Sequence, residues 1–100
     1  MVDWNSLEGF DWDAGNLRKS EVKHGVSMAG AEQVFFNEPL LILEDRPHST
    51  SEPRWHALGH TDAARLLHLT FTLRANGKRI RVISARDMHR KERSVYEQDR

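Results

Sequence analysis

The apolar residues of this chain change period near residue 40, and that change constrains its fold most. Before it they fall at helical spacing; after it they alternate as strands require. Met28, Ala31, Val34 and Phe35 recur at helical spacing behind Ser27, a good N-cap, and Asn37-Glu38-Pro39 stops the run. Leu40-Leu41-Ile42-Leu43 then reads as a buried strand. Further strands are predicted over residues 54–61, 65–73 and 79–84. Asp62-Ala63-Ala64 and Asn76-Gly77 sit where hairpin turns are needed, and Asn-Gly suits a two-residue turn because both residues tolerate positive φ. Residues 46–53, with two prolines and Ser-Thr-Ser, read as a loop.

The flanks complete the pattern. Asp13 is placed to cap a helix over residues 14–23, and Gly25 can close it in the left-handed conformation, with Lys23 and His24 at its negative end. A last helix is predicted over residues 87–97, with Ser84 and Asp87 as a capping box. Phe10 and Trp12 share one face of an extended segment, as in a short strand or anchoring arm. The order α-α-β-β-β-β-α predicts an α+β fold: a four-stranded, mostly antiparallel sheet with the helices packed on one face. One hundred residues support a single domain, 1–100, around one modest core.

Composition excludes several classes. Cysteine is absent, so there is no disulfide framework and no thiolate metal site. No HxH or HExxH pattern occurs, and His56 and His60, four apart on a strand, would stand roughly 13 Å apart. No Gly-x-Ser-x-Gly elbow, phosphate-binding loop or dinucleotide fingerprint is present. No apolar run is long enough for a membrane span, and no export signal is visible. Net charge is zero, yet residues 1–45 hold three basic and nine acidic residues, whereas residues 46–100 hold twelve and six. The split favours one basic surface on an otherwise acidic protein, or two halves that neutralise each other.

Strand alternation locates that surface. Trp55, Ala57, Gly59, Leu67, Leu69, Phe71, Leu73, Ile80 and Val82 fall on one face and read as core. The other face collects Arg54, His56, His60, His68, Thr70, Thr72, Arg79 and Arg81, with no carboxylate among them. A half-solvated sheet always has a polar face, but one built for solubility mixes both charge signs. The segment over residues 78–93 is dense in Lys and Arg, and Arg81 and Arg86 bracket Val82-Ile83-Ser84-Ala85. Arginine where a strand gives way to a helix suits a phosphate, whose oxygens its planar fork can hold.

Several short motifs, in order, resemble the BrnT family of toxins. They are Phe10-Asp11-Trp12-Asp13, Gly15-Asn16, Lys23-His24-Gly25-Val26-Ser27, Val34-Phe35-Phe36, Asp45 to His48-Ser49, Glu52, Arg54-Trp55 and Ala57-Leu58-Gly59. Phe71-Thr72, Ile80-Arg81-Val82-Ile83-Ser84-Ala85-Arg86, Lys91-Glu92-Arg93 and Tyr96 complete them. Ser20, where family members commonly carry Asn, and Pro53, where a polar residue is common, depart from the pattern. The resemblance implies a RelE-like fold and a cytoplasmic ribonuclease toxin that blocks translation. It further implies a BrnA-type antitoxin partner with a ribbon-helix-helix part, through which the complex reaches operator DNA.

Metal-independent RNA cleavage needs a base for the 2′-OH, cations for the phosphorane and an acid for the leaving 5′-oxygen. Arg81 and Arg86, with Arg54, are expected to stabilise the phosphate. His48 or His68 can serve as acid or base, and Glu52 as base or as a group that orients a histidine. Lys23, His68, Thr72 and Arg79 are expected to contact RNA. Lys23 and His24 have the alternative of finishing a helix, and Trp12 and Trp55 read as core rather than as base-stacking platforms. No cofactor or metal is expected. The competing reading is a non-catalytic RNA- or protein-binding regulatory module that uses the same basic face.

Overall fold

A computed structural model describes residues 2–48 and 52–98, with the side chains of Asn16, Leu17 and His48 outside the described set. The elements are β1 (Gly9–Phe10), α1 (Ala14–His24), α2 (Met28–Val34), β2 (Leu41–Glu44), β3 (Trp55–His60), β4 (Leu66–Arg74), β5 (Arg79–Asp87) and α3 (Arg90–Gln98). The strands form one sheet in the order β1-β5-β4-β3-β2, antiparallel except for β1 beside β5. The predicted sheet therefore gains a fifth strand: the extended segment at Phe10 pairs in parallel with Ile80.

The helix ends follow local chemistry. Ser27 caps α2 by accepting from the Gly30 amide at 3.0 Å. Gly25 ends α1 at φ +65°, its amide donating to the Glu21 carbonyl at 3.0 Å. Arg65 secures this end from the sheet, giving hydrogen bonds of 2.7 and 2.8 Å to the His24 and Gly25 carbonyls and clasping Asp87 as well. The Asn76-Gly77 turn is wider than predicted. Arg74 pairs with Arg79, leaving a four-residue loop in which Ala75, Asn76 and Gly77 all have positive φ.

One face of the sheet carries the main core, as alternation predicts. Ala57, Leu67, Leu69, Phe71, Ile80 and Val82 are buried there with Ala31 and Val34 of α2. Phe71 is fully buried; Trp55 stacks on it at 5.7 Å and Phe35 meets it edge-on at 5.2 Å. Trp55 is thus core, while half-buried Trp12 gives its indole N–H to Glu32 at 2.7 Å.

The helices do not share one face, which corrects the sequence reading. α3 packs on the opposite side, where Tyr96 and Met88 are buried with Leu58. The Tyr96 hydroxyl donates to the Pro39 carbonyl at 2.7 Å, so at 2.9 Å it accepts from Nδ1–H of His60. Leu58 and Leu66 sit among polar residues on that face, and this apolar end is what α3 covers. β5 also runs to Asp87, so α3 starts at Arg90, later than predicted. Its capping acid is Glu92, whose Oε1 accepts from the His89 amide at 2.8 Å, and not the predicted Ser84–Asp87 pair.

Candidate active site

The end of the polar face left open by α3 is organised in rows across the strands. His56, Thr70 and Ser84 form one row, and Leu58, His68 and Arg86 the next. Thr72 pairs with Arg81, and Arg54 alternates onto the same side just before β3. A bulge in β5 makes this alignment. Thr70 pairs with Ser84 but Phe71 with Val82, so Ile83 is an extra residue. Strict alternation from Val82 would turn Ser84 and Arg86 toward the core. The inserted residue sends both to the polar face and Ala85 into the core instead.

Two imidazoles meet here. The rings of His56 and His68 lie 4.7 Å apart. His56 is held at both nitrogens: Nε2 is 3.3 Å from Asp45 Oδ2, and Nδ1 is 3.1 Å from the Thr70 hydroxyl. An ionised carboxylate only accepts, so Nε2 carries the hydrogen and Nδ1 receives the Thr70 O–H. His68 is buried, and its Nδ1 has no hydrogen-bond partner among the described residues. Burial first, and then the Arg86 charge, push its pKa down to about 4, so the ring is neutral at neutral pH.

Arg86 holds Glu92 with two parallel hydrogen bonds of 2.8 and 3.0 Å. That carboxylate also lies 3.7 Å from His68 Nε2. Arg86 is the main reason the Glu92 pKa falls to about 2, with the His89 amide assisting. A guanidinium, a backbone N–H and an imidazole thus converge on one carboxylate, a donor set that also suits phosphate oxygens.

The other expected site residues are distributed as follows. Arg81 reaches Asp11 at 3.1 Å and is about a quarter exposed. Thr72 is buried and donates to the Pro53 carbonyl at 2.7 Å, which ties down the loop. Glu52 pairs with Arg74, which itself stands six residues along β4 from His68, roughly 20 Å. Arg79 is exposed at that same distant end. Lys23 lines a cleft with Ser84 beside the histidine row. The His48 side chain lies outside the described residues.

The strands bring no carboxylate to this face, as alternation predicts, but carboxylates beyond the expected Glu52 reach it from outside them. Asp11, Asp45, Glu52 and Glu92 all reach it, from a loop or from α3 rather than from the strands that alternation sorts. Asp45 and Glu92 belong to the motifs that resemble the family, but the sequence assigns no role to either, nor to His56 on the face. The helix-capping position of Glu92 is legible only once the start of α3 is known. Among the described residues no group of three or more His, Cys, Asp or Glu could hold a metal ion, and no helix is long and apolar enough to cross a membrane.

The family model described as the ribonuclease toxin BrnT of type II toxin–antitoxin systems matches residues 12–92. The fold is similar to the crystal structure of the Brucella abortus ribonuclease toxin BrnT, with a TM-score of 0.60 over 82% of this chain and 97% of that one. Identity between the two is 19%, so this likeness speaks for the fold alone. No curated protein sequence matches the chain.

Proposed function

This chain belongs to the BrnT family of ribonuclease toxins of type II toxin–antitoxin systems, and from that premise we propose that it is an endoribonuclease acting without a metal at the His56–His68 pair. That pair, between Asp45 on one side and Arg86–Glu92 on the other, is the observation that carries the proposal. His68, neutral because it is buried, takes the 2′-OH proton. The 2′-oxygen then bonds to phosphorus as the bond to the 5′-oxygen breaks. His56 enters the step as the imidazolium: Nε2–H stays on Asp45, while Nδ1–H turns from Thr70 to the leaving oxygen and gives it the proton, leaving the ring neutral. Arg86 and Arg81, with Arg54, hold the phosphorane charge. The incoming phosphate raises the His68 pKa from its low resting value and so strengthens it as a base.

Glu92 serves as a positioning group that keeps the Arg86 fork flat beside His68. Arg54, Arg81 and Arg86 provide the RNA-facing charge, while Glu52 is engaged by Arg74 and Arg79 lies at the far end of β5. The cell-level consequence is arrest of translation in the cytoplasm. A BrnA-type antitoxin neutralises the chain, its ribbon-helix-helix part carries the complex to operator DNA, and its acidic groups complement the basic rows.

A second reading is favoured by one observation: Arg81 and Arg86 each already face a carboxylate. On that reading the face binds RNA or a protein partner without cleaving. Incubating the purified chain with RNA in the presence and absence of a chelator separates the two. Cleavage that persists with chelator is expected. Binding without cleavage supports the second reading, and cleavage abolished by chelator sinks the metal-free mechanism. Expression of the chain alone should arrest growth, and the co-expressed antitoxin should restore it.

A further inference from the structure

The geometry points to a second phosphate-binding subsite for single-stranded RNA, in the cleft between α1 and β5 where Lys19 and Lys23 flank Ser84. It rests on the ribonuclease reading above and names the path by which the substrate crosses the sheet.

Lys19 and Lys23 are four residues apart on α1 and therefore stand on one side of it, a turn apart. With Ser20, His24, Ile83 and Ser84 they line a cleft of about 180 Å³, room for a phosphate group. Like charges at that spacing oppose helix formation, so their juxtaposition calls for a cause. The negative end of α1 accounts for cations at positions 23 and 24, but that field fades within the last turn and leaves Lys19 unexplained. Neither lysine has a carboxylate at ion-pair distance among the described residues. Arg81 and Arg86, on the same strand as Ser84, each have one.

The cleft is continuous with the proposed catalytic row. Ser84 lines it, is exposed, and pairs in register with Thr70, which bonds His56. It faces this way only because of the bulge at Ile83. Two strand spacings separate β3 from β5, roughly 10 Å. A phosphate beside Ser84 is therefore a neighbour of the scissile one on the same strand. Lysine suits such a flanking position, because a point charge on a flexible stem holds a backbone of variable conformation without demanding one geometry.

The test uses the double variant Lys19→Ala/Lys23→Ala, both positions being exposed, with Lys91→Ala as a charge-loss control on α3. The probe is a short RNA oligonucleotide with 2′-deoxy substitution, whose affinity is measured across salt concentrations. Loss of two phosphate contacts should reduce the slope of log affinity against log salt by about 1.4 in the double variant. The control should leave the slope unchanged. An unchanged slope in the double variant, with the wild-type chain still cleaving RNA, overturns the subsite and spares the ribonuclease reading. A wild-type chain that neither binds nor cleaves RNA overturns both. If the variant keeps its slope but loses affinity for the antitoxin, the cleft belongs to a protein partner and the RNA subsite is wrong.

Discussion

The two faces of the sheet are built by different rules. On the core face each buried residue is placed by its own strand: Leu67, Leu69 and Phe71 alternate along β4 and meet Ala57 and Val82 across the ladder. On the polar face the decisive groups come from elsewhere in the chain. Asp11 follows β1, Asp45 follows β2, and Glu92 sits in the first turn of α3; each meets a cation or an imidazole of a strand. Burial of apolar area is non-directional, so a core tolerates any arrangement that fills the volume. A proton-transfer site must fix individual atoms, and that takes partners from several elements.

This contrast can be broken from either side. The largest effect belongs to the core: Phe71→Ala should cost about 3–5 kcal/mol through lost burial and a cavity beneath Trp55, read by urea denaturation. A small cost there would mean that the aromatic cluster can collapse. On the polar face Arg86→Ala should reduce RNA cleavage by roughly 10²–10³-fold, with most of the loss in kcat. Its fold should persist, at a cost of about 1–3 kcal/mol because Glu92 loses its main partner. Retained cleavage at equal expression would remove Arg86 from the site.

Gly59 probes the core face without touching the chemistry. A Cβ there would lie 2.7 Å from Val34 Cγ1, so Gly59→Ala should push α2 outward and cost about 1–3 kcal/mol, visible as a lower thermal midpoint.

Acid separates the polar groups by window. His68 binds its proton more weakly folded, near 4, than its ordinary value of 6.5, so stability should fall as pH drops from about 6.5 to 4. Glu92, held near 2 against an ordinary 4.5, should withdraw its contribution as pH falls from about 4.5 to 2. His68→Gln should flatten the upper window and Glu92→Gln the lower one. A single shared window for both variants would mean that the two groups titrate as one. The smallest effect is expected at Lys78→Ala, whose pair with Glu8 is 4.0 Å long and exposed: less than about 0.5 kcal/mol by chemical denaturation.

Much of the fold was legible because it rests on neighbours in sequence. Ser27 and Gly25 mark helix ends through their own backbone chemistry, and period-two alternation places Trp55, Leu69 and Val82 in the core. Two gaps share a cause. No local signal says which way the chain turns after β5, so the sequence pattern alone places all the helices on one face. Alternation sees only a strand's own side chains, so it leaves out the carboxylates that Asp11, Asp45 and Glu92 bring to the polar face. Arg86 illustrates the limit: its type and position suggested a phosphate ligand, yet strict alternation from Val82 points it inward.

Residue pattern sets the division into helices and strands, the core face of the sheet, the separation of acidic and basic halves, and the resemblance to BrnT toxins. Those properties depend on contacts a few residues apart, or on a pattern carried along the whole chain. Tertiary structure alone decided that Ile83 is inserted, that Ser84 and Arg86 therefore face the histidines, and that Asp45 and Glu92 meet His56, His68 and Arg86. A one-residue bulge reverses every side chain beyond it. Where it falls is set by how β5 pairs with β4, which no run of neighbouring residues specifies.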